Sequence, residues 1–269
     1  LSPLEFIARE FENDTIRAGL LFFNGLREID LRQPGFGHAI PALLASPARA
    51  QMCEGGSANL ARALISDIKE HGGQIRCNTE IKQICVQNNA VNGIELIDGE
   101  HLKTDTIVSG LNPQQTFIDL LSSDVLPGEI RNRAEKFRYN LIAPLFGLHL
   151  ALKAPATLPG EDQPLMYVLG LDRFRQFQEI VRAHDRGEIP APITWGACPT
   201  IHDPSQAPAG NHTAFLWEKL PYALRGNPIN WITEKDQHGQ HLLKFWSKHS
   251  PNLAGNVLDQ FTLSPADTE

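Results

Sequence analysis

The sequence has no Gly-x-Gly-x-x-Gly segment, and so lacks the usual glycine turn that brings backbone amides against phosphates at a helix start. It has only four cysteines, Cys53, Cys77, Cys85 and Cys198, in no zinc or redox spacing, which fits a reducing, cytoplasmic compartment and leaves an oxidising one open. There is no run of Lys or Arg, and 24 basic against 31 acidic side chains leave a formal charge of −7, which argues against a nucleic-acid partner. No HExxH occurs among the ten histidines. The longest apolar stretch, Leu141 to Leu152, is broken by Pro144, Gly147 and His149 and is too short to span a bilayer, although peripheral membrane contact stays open. What remains is an ordinary globular composition, 42% hydrophobic and 20% charged over 269 residues, enough for one large domain or two modest ones. The first residue is Leu rather than Met, so the expectation is an internal piece of a longer chain.

Periodicity and punctuation give an alternation of helix and strand. Ser2, Pro3 and Glu5 carry a capping box for a first helix that Gly19 would end. Residues 20–50 read as short helices and loops. Gly55-Gly56 leads into a helix from about Ser57 to His71, with Leu60, Leu64 and Ile68 on one face beside Ala61 and Ile65. Strands follow at 74–77, 81–86, 91–97 and 102–108, with turns at Asn88-Asn89 and Asp98-Gly99. Helices are predicted over 113–121 and 127–137. Beyond them come strands at 141–152, 165–170, 193–198 and 212–219, and a helix carrying Phe174, Phe177, Ile180 and Val181. A last helix over 229–249 has Ile232, Leu242, Leu243 and Trp246 as its apolar positions.

Several of these segments together resemble a known family. Gly55-Gly56-Ser57, His71-Gly72-Gly73-Gln74-Ile75, Asn78-Thr79-Glu80-Ile81, Val91-Asn92-Gly93-Ile94 and Ile107-Val108-Ser109-Gly110-Leu111-Asn112-Pro113 resemble the phytoene desaturase-related branch of the flavin amine oxidase superfamily. Pro199, Asp203-Pro204-Ser205, Ala207-Pro208, Gly210 and His212 resemble one subgroup of it, that of the pyridine nucleotide-disulfide oxidoreductase domain-containing proteins. Ser250-Pro251-Asn252 and Leu263-Ser264-Pro265 are similar to the same subgroup. The resemblance implies an α/β (α+β mixed) fold: a substrate domain with a mixed sheet covered by helices, plus a partial FAD-domain segment with a β-meander and no complete Rossmann unit. The implied divisions are 1–54, a helical segment of the substrate side; 55–115, the partial FAD-binding domain; and 116–269, the substrate-binding domain. Gly35-Phe36-Gly37 does not supply the missing phosphate loop, so FAD is expected in the parent protein rather than on this chain alone.

The same resemblance marks cofactor contacts. Glu80 and Ile81 correspond to the strand whose backbone meets the adenine, Ser109 and Gly110 to the strand end passing the cofactor, and Gly55 and Gly56 to a close approach toward the flavin side. Each has a plainer reading: a helix-start turn for Gly55-Gly56, core for Ile81, a solvated or capping acid for Glu80, a strand exit for Ser109-Gly110.

In flavin enzymes the cofactor does the difficult chemistry and the protein positions the substrate, so a charged catalytic residue is not required and none is assigned. His149, in the strand pattern Leu145-Phe146-Gly147-Leu148-His149-Leu150, is either a pocket acid or base or a hydrogen-bonded core histidine. Trp195, Phe215 and Trp217 either line an apolar pocket or pack in a core. The function this implies is hydride removal from a hydrophobic small-molecule substrate. The alternatives are a non-catalytic apolar-ligand or protein-interaction module and, more remotely, a metal hydrolase on His202, Asp203 and His212.

Overall fold

A computed structural model describes residues 1–26, 31–35, 37, 42, 45, 51–137, 144–160 and 163–268. Most of the short helices and loops expected between 27 and 50, and the first part of the strand expected from 141, lie outside the described residues. The chain divides into two units, Leu1–Leu60 with Asn140–Glu269, and Ala61–Tyr139.

In the first unit α1 (Pro3–Glu10) begins at the predicted capping box: Ser2 Oγ accepts from the Glu5 amide at 3.3 Å, and Glu5 Oε2 accepts from the Ser2 amide at 2.8 Å. Gly19 does not end a helix. The break falls earlier, where Asn13 Oδ1 accepts from the Ile16 amide at 3.0 Å, and α2 (Asp14–Leu26) runs through Gly19 because Ala18, Leu21 and Phe22 are buried on either side of it. Packing of that face outweighs the roughly 1 kcal/mol helix cost of glycine.

The unit is built on a five-stranded sheet. Its strands are β4 (Leu145–Leu152), β5 (Tyr167–Leu169), β6 (Thr194–Ala197), β7 (His212–Lys219) and β8 (Val257–Leu263), in the order β5-β6-β7-β4-β8. The mixture of helix with sheet agrees with the α/β expectation, but the sheet is not mixed: every neighbouring pair is antiparallel. The reason is the crossover from β7 through α6 (Trp231–Ser247) to β8, which passes over one strand. β7 and β8 run the same way, and β4 fills the slot between them in the opposite sense. β8 was not anticipated from the sequence.

Strand alternation sorts the two faces. Even-numbered Phe146, Leu148, Leu150 and Leu152 of β4 and Leu216 of β7 pack against Trp231, Leu242 and Trp246 of α6. Ile232, expected among the buried positions of this helix, is instead exposed, and Trp231 takes its place. Gly239 lets the helix come close to β8: a methyl group there would collide with Thr262 Cγ2. On the odd-numbered face, α1, α2 and α5 (Arg175–Arg186) cover Trp195, Trp217 and Leu145. Phe177, Val181 and His184 of α5 recur at helical spacing and are buried; Gly187, left-handed at φ 64°, ends the helix. Among the described residues no helix covers the rest of that face, where Phe261 and Leu263 are exposed.

In the second unit β1 (Ile81–Gln87) and β2 (Ala90–Leu96) form the predicted hairpin. Asn88 and Asn89 both hold positive φ, 52° and 60°, as a two-residue turn of the hairpin twist requires. The strand expected at 102–108 shrinks to β3 (His101–Leu102). Beyond it Thr104 Oγ1 accepts from the Thr106 amide and donates to the Thr106 carbonyl, so side chains take the bonds a ladder would need. Residues 74–77 form no strand; Arg76 there is held by a two-pronged ion pair to Glu100, at 3.0 and 2.7 Å. The 113–121 helix is a π-helical turn, Gln115–Asp119, and α4 (Gly128–Glu135) follows. The helix predicted from Ser57, α3 (Ser57–Glu70), forms without a buried residue: Leu60, Leu64, Ile65 and Ile68 are all exposed.

Candidate functional site

The open half of the odd-numbered sheet face carries an aromatic row. Register sets it: His149 of β4 lies between Phe215 of β7 and Phe261 of β8. The His149 ring stacks on Phe261 with centroids 4.7 Å apart and planes 7° apart, and tilts toward Phe215 at 6.5 Å. One register step away, Gly147 lies between Trp217 and Leu263, and Trp195 packs edge-on to Trp217 at 6.1 Å. The missing side chain at Gly147 is used, since a methyl group there would stand 2.8 Å from His149 Nε2 and 3.3 Å from Trp217 Cδ1. The Trp217 indole N–H points at His149 Nε2 across 3.5 Å.

On the other side of the row a pocket of about 420 Å³ opens, floored by Ala151 and walled by His149, Phe215 and Phe261, with Thr213, Asp259 and Pro199 at its margin. Burial pushes the His149 imidazole below its ordinary range, so it is neutral near pH 7. His149, Phe215, Trp217 and Trp195, separate candidates in the sequence, thus share one face. Trp195 is buried under α2, with the Phe22 ring edge-on at 5.7 Å, and so belongs to the covered half. Phe261 and Asp259 were missed. β8 places Asp259, Phe261 and Leu263 on this face, while a register shift turns Val257 to the other one, and the Asp259-Gln260 pair interrupts the apolar signal.

A second constellation joins two stretches the sequence left apart. Asp203 of the Asp-Pro-Ser segment accepts from the Gly55 amide at 2.7 Å, from Ser205 Oγ at 2.5 Å and its amide at 3.2 Å, and from Gln206 Nε2 at 2.9 Å. The Ser205 hydroxyl first, then Gln206 and the Gly55 amide, hold the Asp203 carboxyl down at about 2. Gly55 and Gly56 both have positive φ, 76° and 85°, and the Gly56 amide donates to the Cys53 carbonyl. Both amides are therefore engaged within the protein. Just upstream, Thr200 Oγ1 meets His212 Nδ1 at 3.0 Å and accepts from the Thr213 amide, pinning the segment to β7. Among the described residues no group of three His, Cys, Asp or Glu side chains is placed to share a metal ion.

The other four proposed cofactor residues lie in the second unit. Glu80 is exposed, and its carbonyl accepts from the Ile97 amide at 3.1 Å. Ile81 opens β1 opposite Leu96, with its side chain 36% exposed. Ser109 Oγ pairs with Thr116 Oγ1 at 2.7 Å and accepts from the Leu111 amide, and the space beside Gly110 is open.

No family model matches the chain. It is 24% identical over 256 residues to pyridine nucleotide-disulfide oxidoreductase domain-containing protein 2 of Mus musculus, covering 88% of this chain and 43% of that protein. It is 22% identical to a neurosporene-forming phytoene desaturase of Cereibacter sphaeroides, covering 78% of this chain and 40% of that protein. A chloroplastic prolycopene isomerase of Daucus carota is 29% identical over 61% of this chain and 24% of its own length. The chain thus spans less than half the length of these relatives. In fold it is similar to a protein from Pyrococcus furiosus (TM-score 0.60, 15% identity, 98% of this chain and 57% of that one) and to an oxidoreductase from Methanosarcina mazei (TM-score 0.51, 17% identity, 78% and 43%). Among the described residues no helix is long and apolar enough to cross a membrane. By sequence the chain groups, at low identity, with the phytoene-desaturase-related branch of the flavin oxidoreductases.

Proposed function

We propose that this chain supplies the substrate-side part of an FAD-dependent, phytoene dehydrogenase-like oxidoreductase that removes hydride from a hydrophobic substrate. The observation that carries the reading is the half-open aromatic face around His149, with its pocket of about 420 Å³. A folded protein rarely leaves a concave apolar wall with few polar groups unless a ligand uses it.

The residues present fit part of the cofactor. Glu80 and Ile81 are exposed and nothing crowds Gly110, so an adenine could approach there, although the Glu80 carbonyl is already taken by the Ile97 amide. The Gly55 and Gly56 amides are taken up by Asp203 and Cys53, so those glycines would approach a flavin only by van der Waals contact. When bound, FAD would supply the hydride acceptor. The chain's own task is to exclude water and hold an apolar substrate against the sheet through Phe215 and Phe261. Among the described lining residues His149 supplies the imidazole, held neutral by burial.

The full product of the reading frame containing this sequence should purify with flavin absorbance, or acquire it on reconstitution with FAD. A colourless protein that fails reconstitution defeats the reading. A second reading, a module that binds an apolar ligand without redox chemistry, rests on the same pocket. It predicts the same pocket and no flavin.

A further inference from the structure

His149 is the only polar side chain in the middle of the aromatic row, and its ring orientation is legible. The Cδ2–Nε2 edge lies over Gly147, 3.3 and 2.8 Å from where a methyl group would stand. The opposite edge, bearing Nδ1, therefore faces the Ala151 side, where the pocket opens. Trp217 presents an indole N–H toward Nε2, and an indole nitrogen only donates. That approach favours the tautomer with Nε2 bare and accepting and the ring proton on Nδ1. Among the described residues none accepts from Nδ1.

The rest of the pocket narrows the ligand. Phe215 and Phe261 offer flat apolar walls, and Ala151 leaves the floor low. Asp259 at the margin is acidic, and its Oδ1 accepts only from the neighbouring Gln260 amide at 2.9 Å. An anionic ligand would meet a carboxylate and no cation from the lining residues.

We propose that this pocket takes a neutral, largely apolar small molecule by one hydrogen-bond acceptor, a carbonyl or ether oxygen, which receives the His149 Nδ1 proton. A pure hydrocarbon would leave that donor buried without a partner. The inference rests on reading this face as the substrate side and adds the acceptor group to it.

Equilibrium dialysis of the flavin-free chain tests it with methyl naphthyl ketone, the ethylnaphthalene of the same shape, and the corresponding naphthoate. The ketone should bind about five-fold more tightly than ethylnaphthalene, the worth of one neutral hydrogen bond, and naphthoate should bind more weakly than either. His149→Phe keeps a ring against Phe261 and should abolish the ketone preference while ethylnaphthalene still binds. Equal affinity for ketone and hydrocarbon, a preference that survives His149→Phe, a stronger naphthoate complex, or no binding of any probe overturns the proposal. Should the variant fail to fold, histidine-nitrogen NMR of the unaltered chain decides: a proton on Nδ1 that shifts when the ketone binds supports it, and a proton on Nε2 overturns it. Because no flavin enters these measurements, their failure leaves the absorbance test of the redox reading untouched.

Discussion

The Gly55 amide donates to Asp203 Oδ2 across 2.7 Å, joining residues 148 apart in sequence. This bond ties the turn before α3 to the segment leading into β7. Asp203→Ala removes the acceptor for Gly55, Ser205 and Gln206 at once, and Asp203→Asn keeps one carbonyl oxygen. Thermal unfolding should place the midpoint of Asp203→Ala below that of Asp203→Asn, and both below the unaltered chain. Proteolysis within 51–56 should accelerate in the same order.

Asp203 also sets an acid response. Its folded-state value is about 2 against an ordinary 3.8, so it favours the folded state fully above about pH 4. That contribution is lost as pH falls from there through 2. Acid titration of the unaltered chain and Asp203→Asn should show the variant with the shallower loss of stability over this window. Parallel curves would mean that Asp203 contributes nothing there.

Glu218 and His238 form a buried pair, Oε2 to Nε2 at 2.8 Å, with side chains 1% and 6% exposed. Removing one partner strands the other. His238→Ala should cost roughly 3–5 kcal/mol in urea unfolding, whereas replacing both with apolar residues of similar volume should cost much less. A single substitution as mild as the double one would show that the pair does not couple.

Gly147→Ala pushes a methyl group toward His149 Nε2 and Trp217 Cδ1. The ring must leave its stack on Phe261 or the strand must shift, at about 1–3 kcal/mol. Denaturation should register that loss, and ketone binding should weaken with it. Unchanged stability would mean that His149 turns aside freely.

On α3, Leu64 and Ile68 are 57% and 43% exposed. Leu64→Glu with Ile68→Glu should leave the stability of this chain within about 0.5 kcal/mol per site, as for other surface changes, while reducing binding of the hydrophobic dye ANS. A large loss of stability would show the face to be covered.

Local signals were legible where one rule acted alone. The Ser2–Glu5 cap, the Asn88-Asn89 turn and the β4 and β7 spans follow from residues close in sequence. Gly19 misled because burial of Leu21 and Phe22 outweighs a local breaker. The all-antiparallel order was hidden because a helix between two strands suggests parallel neighbours, and nothing local says that β4 lies between β7 and β8. The site was half legible for the same reason. His149, Phe215 and Trp217 could be named, but their companionship depends on register, and Phe261 sits on a strand whose alternation Asp259 and Gln260 break.

The position of β8 makes the pocket a late product of synthesis. Once Lys219 has left the ribosome, β4 can pair with β7, yet its other edge, from Gly147 to Leu152, stays unsatisfied until β8 arrives. During that interval a strongly apolar strand presents open amides and carbonyls to any neighbouring chain. Docking of β8 silences that edge and in the same movement sets Phe261 against His149. One strand therefore both covers the β4 edge and completes the aromatic row, so a substitution that weakens β8 pairing should disturb both.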